Sequence, residues 1–110
     1  MLDKVFMNNL FDFYGDLLTE KQQEICRYYY EEDYSLQEIR DICNITRSAV
    51  YDMINRSRKD LLYYEEKLHC YAQFQKRNAV YQKILQSPSL TDDIREYIKE
   101  CIEIENEEET

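Results

Sequence analysis

One glycine, Gly15, and one proline, Pro88, are all the helix-breaking punctuation in this 110-residue chain. An all-β fold needs turn residues every eight to twelve positions, so that class is excluded. Asp16 to Ser87 holds neither breaker, and the chain reads as all-α. A single glycine also rules out a glycine-rich phosphate loop. The only histidine, His69, has no second histidine or clustered cysteine to build a zinc site. The acidic pairs Glu65-Glu66 and Asp92-Asp93 are sequence neighbours, which splay apart on helices and cannot share a reacting bond. No nucleophile stands beside a partnering base. The expectation is a non-enzyme with no cofactor and no metal.

Other absences place the chain. No run of about eighteen apolar residues exists to cross a membrane. The opening MLDKVFMNNLFDF lacks the basic start and small-residue cleavage site of a signal peptide. Cys26, Cys43, Cys70 and Cys101 contain no C-x-x-C pair, and they read as free thiols in a reducing cytoplasm.

What is present is charge, unevenly spread. The net charge of -9 divides into -5 over residues 1–33, +1 over 34–61, +2 over 62–86 and -7 over 87–110. Four bases, Arg47, Arg56, Arg58 and Lys59, face only Asp52 between positions 47 and 59.

Periodicity and capping residues give the helices. A first helix is expected over Asp3 to Leu18, with Val5, Leu10, Phe13 or Tyr14, and Leu17 inward, broadened by Phe6 and Met7, and with Gly15 a weak point where it can stop early. Thr19 and Gln22 form a capping box opening a second helix, whose inner face is Ile25, Cys26 and Tyr29, with Leu18 a candidate to join it, and which stops near Glu31-Glu32-Asp33. Ser35 and Glu38 form a second box, starting a short helix through Cys43 with Leu36, Ile39, Ile42 and Cys43 inward. Asn44 suits a left-handed helix end, Ile45 can tuck into the core, and Thr46 can cap the next helix from Arg47. That helix would pack through Ala49, Val50, Met53, Ile54 and Ser57. Its outer side would show Arg47, Ser48, Tyr51, Asp52, Asn55, Arg56 and Lys59, with Arg58 adding charge. This is the arrangement of a helix-turn-helix, in which forked donors and amides on the second helix meet phosphates and base edges.

The apolar stripe runs on through Leu61, Tyr64, Leu68, Tyr71, Phe74, Tyr81 and Leu85. A single helix from Arg47 to Gln86 would be about 60 Å long. Such a helix either breaks between Tyr63 and His69 or packs on a partner, and a homodimer is the economical partner. Gln86-Ser87-Pro88-Ser89 reads as a linker, and Ser89 or Thr91 caps a last helix with Ile94, Tyr97, Ile98, Cys101 and Ile102 on its apolar face. The expected organisation is a helix-turn-helix domain over 1–62, a long helical extension over 63–86, a C-terminal helix over 87–106 and an acidic tail over 107–110.

The pattern Leu18-Thr19, Gln22, Ser35, Glu38-Ile39, Val50 and Arg56-Ser57-Arg58 is similar to region 4 of bacterial sigma factors. The stretches NNLFDFYGDLLTEKQ, YSLQEI, RSAVYD and YEEKL resemble the YlxM-like family of small bacterial helix-turn-helix proteins, over roughly residues 7 to 86. The resemblance implies an all-helical fold with a sigma-region-4-like motif and an accessory or regulatory role in the signal recognition particle pathway. Two departures stand out: Arg40 occupies a position usually held by alanine, and Asn44 one usually held by glycine.

Two main functional readings follow. One is a DNA-binding regulatory protein, or one binding the particle's RNA, through Arg47, Ser48, Tyr51, Asn55, Arg56, Arg58 and Lys59. The other is a protein-interaction module acting on the particle's GTPase or its RNA, its acidic ends meeting basic surfaces. A dimeric structural protein is the third and blandest reading.

Overall fold

The computed structural model describes residues 3–107, and within them it is all-helical. The chain divides into two compact units, one ending at Tyr71 and the other beginning at Ala72. No helix among the described residues is long and apolar enough to cross a membrane.

Helix α1 (Lys4–Tyr14) starts where the Asp3 carboxylate accepts from the Val5 N–H at 3.1 Å. Its buried stripe is Met7, Leu10, Phe11 and Tyr14, continued by Leu18. Val5 and Leu17, expected inward, are 66% and 55% exposed. Two stripes at helical spacing share Leu10 and Tyr14, and packing against the later helices selects the one through Phe11. The helix stops early, at the weak point expected of Gly15, tightening into a 3₁₀ turn over Gly15–Leu17. Gly15 is needed for space: a Cβ there would lie 2.9 Å from the Phe11 ring.

Helix α2 (Glu20–Cys26) opens on the expected capping box, with Gln22 N–H donating to Thr19 Oγ1 and Thr19 N–H to Gln22 Oε1. The buried Gln22 amide also donates to Asp60 Oδ2 at 3.0 Å, so one residue caps a helix and ties it to a later one. The helical segment stops at Glu31–Asp33 as expected, but its last part widens into a π-helical turn over Arg27–Glu31, closed by Glu32 N–H to the Arg27 carbonyl. The wider turn brings Tyr30 into the core, and the segment ends at Asp33 with a positive φ of 57°. Lys4 pairs with Asp33 at 2.6 Å and sits over the Tyr29 ring.

Helices α3 (Leu36–Cys43) and α4 (Arg47–Leu68) complete the first unit. One core cluster joins the α1 stripe to Cys26, Tyr30 and Leu61. A second joins Ile25, Ile39, Val50 and Ile54, and so fixes α3 and α4 to α2. Ile42 is 50% exposed and Ala49 is also exposed, contrary to expectation. In a helix of two turns only Ile39 lies deep enough to be sealed from both sides.

The helix from Arg47 does break, at His69, whose φ of 58° is left-handed. The break is built by side chains. The Tyr14 hydroxyl donates to Glu65 Oε1 at 2.5 Å and accepts from the Cys70 N–H at 2.9 Å, while Glu65 Oε1 also accepts from the Tyr71 N–H. Glu65 and Tyr14 thus satisfy the first donors of helix α5 (Cys70–Leu85), which would otherwise have no intrahelical partner.

Burial, reinforced by donation to Glu65, pushes Tyr14 above the usual phenol range; burial does the same to Tyr30 and to the Cys26 thiol. A raised folded-state value means the unfolded chain releases these protons first. The stability they contribute is intact at neutral pH and is lost as pH climbs beyond about 9 for the thiol and about 10 for the two phenols, their ordinary values. Alkaline unfolding followed by circular dichroism should therefore steepen above those values, and Tyr30→Phe should flatten it. An unchanged profile would remove Tyr30 from the set.

In the second unit, α5 and α6 (Asp92–Glu105) form an antiparallel hairpin. Arg77 pairs with the Glu105 carboxylate, and Arg95 donates to the Leu85 carbonyl at the other end. Thr91, not Ser89, caps α6, accepting from the Ile94 N–H at 3.3 Å. Of the acidic tail, only Glu107 falls within the described residues.

Candidate nucleic-acid interface

The site is built by the turn between α3 and α4. The Ser35–Glu38 box fixes the start of α3, with reciprocal bonds of 3.1 and 3.0 Å. Its end is fixed by Asn44, left-handed at φ 55° and ψ 48°, whose N–H donates to the Arg40 carbonyl. Asn makes this conformation at lower cost than other side chains because its short amide can bond locally. Ile45 packs against the Ile39, Val50 and Ile54 cluster, and Thr46 Oγ1 accepts from the Ala49 N–H at 3.0 Å to start α4. Three residues, Asn44 to Thr46, therefore set the angle between the two helices.

Arg40, the departure from alanine, does not enter the seam between the helices. Its guanidinium turns outward to Asp41 at 2.9 Å, with the stem half-buried along the helix surface. The helix pair closes instead on Ile39 and Val50, both fully buried.

With that angle fixed, the outer side of α4 faces solvent. Arg47, Ser48, Tyr51, Arg56 and Lys59 are exposed, and Asn55 is half-buried. They share one helix and span more than three turns of it, a length suited to a groove of duplex nucleic acid. Arg58 stands apart. It is half-buried, its Nε is sealed from solvent, and its charge is felt by Tyr30, so it lies at the edge of the core rather than on the outer side.

Beside the start of α4 lies an open concavity of about 530 Å³, lined by Leu36, Arg47, Ser48, Tyr51 and Asp52. It offers a guanidinium, a hydroxyl, a phenol and a carboxylate beside the aliphatic side chain of Leu36. Asp52 is the one acid on this side; a carboxylate there repels phosphate but can accept from a cytosine amino group. By its spacing within α3, Leu36 reads only as a core residue. Its place in the lining follows from the approach of α3 to α4, which spacing within either helix does not reveal.

The functional residues that sequence reasoning missed act at a distance. Asp60 receives the Gln22 amide and thereby anchors α4 to α2, and Glu65 receives Tyr14. Asp60 follows directly on the basic run and Glu65 is half of an acidic pair, and in sequence both look like ordinary surface charge.

Comparison with known proteins agrees with this architecture. Residues 1–101 match the family described as "UPF0122: Putative helix-turn-helix protein, YlxM / p13 like". The chain is 42% identical over 102 residues to the UPF0122 protein YofM of Lactococcus lactis subsp. lactis, covering 93% of this chain and 92% of that protein. It is 49% identical over 85 residues to the UPF0122 protein OB1530 of Oceanobacillus iheyensis, covering 76% and 81%. It is 42% identical over 99 residues to a UPF0122 protein of Staphylococcus epidermidis, covering 90% of each. A chain with this capped, left-handed turn and this extent of likeness belongs to the UPF0122 family of YlxM/p13-like helix-turn-helix proteins.

Proposed function

We propose that this protein is a cytoplasmic, non-enzymatic DNA-binding regulator that docks the outer side of α4 in a major groove and acts as a homodimer. One observation carries the reading: α3 and α4 are locked through Ile39, Val50 and Ile54 while the bases of α4, Arg58 excepted, remain exposed. Arg47 and Ser48 at the helix start reach phosphate, and Tyr51, Asn55 and Arg56 reach base edges. Lys59 follows the backbone, and Arg58 adds positive potential from beside the core.

The net charge of -9 is no obstacle. Charge is screened over about 8 Å at physiological salt, so a phosphate meets the local balance of α4 rather than that of the whole chain. The resemblance to the YlxM-like family adds an accessory role in the signal recognition particle pathway, which makes the particle's RNA and GTPase the competing ligands to test.

The experiment is fluorescence anisotropy of the purified chain against duplex DNA, particle RNA and the particle's GTPase, between about 50 and 200 mM salt. Duplex DNA should bind with an affinity that falls steeply with salt. Arg47→Ala and Arg56→Ala should each weaken it and lower the salt slope by about 1 per recognition helix. Tighter binding to the RNA, or capture of the GTPase that survives nuclease, would displace this reading.

A further inference from the structure

In the second unit no described residue is buried, although two helices pair there. A unit of this size rarely stands without a disulfide, a metal or association. Its one cysteine, Cys101, is free, and no cluster of metal-ligating side chains occurs among the described residues. The apolar residues of α6 explain what is missing. Ile98 and Ile102 are half-buried, while Ile94, Tyr97 and Ile104 stand 44%, 61% and 62% exposed. With Cys101 these last three recur at i, i+3, i+7 and i+10, the spacing of a helix-packing seam. On α5, Val80 is 51% exposed between the exposed Lys76 and Lys83.

We propose that the outer stripe of α6 is covered by a second copy of this chain, α6 of each copy lying on α5 of the other in a symmetric four-helix assembly. This gives a surface to the homodimer in the reading above, and rests on it. Charge chooses the pairing. Helix α5 carries three bases and no acid, whereas α6 carries six acids and two bases. Asp93 and Glu100 flank the α6 stripe, so α6 on α6 would set carboxylate against carboxylate, whereas α6 on α5 sets Asp93 and Glu100 toward Lys76 and Lys83. The area is also sufficient. Four large side chains left about half exposed present roughly 400 Å² of apolar surface per copy, close to the apolar share of a standard interface of about 800 Å² per partner.

Sedimentation equilibrium on the full chain tests this. The wild-type chain should be dimeric at tens of micromolar, and Tyr97→Glu should weaken the dimer by more than about tenfold while helix content is retained. Lys76→Glu with Lys83→Glu, and separately Asp93→Lys with Glu100→Lys, should each shift the chain toward monomer. Mixed in equal amounts, the two double variants should restore a dimer. Failure of the mixture to associate overturns the α5-on-α6 pairing. A dimer that survives Tyr97→Glu overturns this surface but leaves the homodimer standing, and a wild-type monomer removes both. DNA binding is read separately through Arg56→Ala, whose charge lies in the other unit.

Discussion

Truncating Ile39 to alanine lowers the stability of the helix-turn-helix unit by about 3 kcal/mol, measured by urea unfolding. Ile39 is the only buried residue of α3, a helix of eight residues. Two turns are too few for a helix to hold itself, so the docking of α3 rests on this side chain. The cavity left would open against Ile25, Val50 and Ile54, all on other helices, which cannot collapse without moving the turn. On the DNA-binding reading proposed above, affinity should fall with stability, because the angle of α4 is defined against α3. Ile42→Ala, three residues along the same helix but half exposed, should cost under about 1 kcal/mol. Equal losses from the two variants would mean that the packed face of α3 is wrongly assigned.

Tyr14→Phe should cost about 2 kcal/mol, from a single oxygen. That oxygen donates to Glu65 and accepts from the Cys70 N–H, so its loss leaves a carboxylate short of a donor and a helix start short of an acceptor. The ring remains to fill the core, which separates this cost from packing. Hydrogen exchange at the Cys70 and Tyr71 amides should accelerate by about 30-fold, the equivalent of that free energy, if opening is local. If exchange there is unchanged, the start of α5 is held by something other than Tyr14. The same variant should be less sensitive to alkaline pH, because a phenol with a raised folded-state value has been removed.

Much of the helix-turn-helix was legible because capping is written locally. Thr19 with Gln22, Ser35 with Glu38, and Thr46 each satisfy donors within three residues, and Asn44 carries its own reason for a left-handed turn. What was not legible depends on contacts distant in sequence. The buried side of α1 is chosen by Tyr30 and Leu61, not by its own spacing. The π-helical turn at Arg27–Glu31 follows from placing Tyr30 in that core, and no local signal announces it. The region of the break after α4 could be bounded, but its position at His69 depends on Tyr14, more than fifty residues earlier. In the candidate interface, the outer side of α4 was legible from period alone. Arg58 was not, because its half-buried position, with Nε sealed from solvent, depends on packing that the helical period does not encode.

Asp33, Asn44 and His69 carry all the described left-handed backbone outside glycine, while the one glycine serves the ring of Phe11 at an ordinary φ. Each such residue gives up about 1 kcal/mol of backbone strain relative to glycine. It also restricts the unfolded ensemble, where glycine would roam more freely, and recovers much of that cost as entropy not lost on folding. The turns of this protein are therefore held as much by the conformations its unfolded chain cannot reach as by the bonds its folded chain makes.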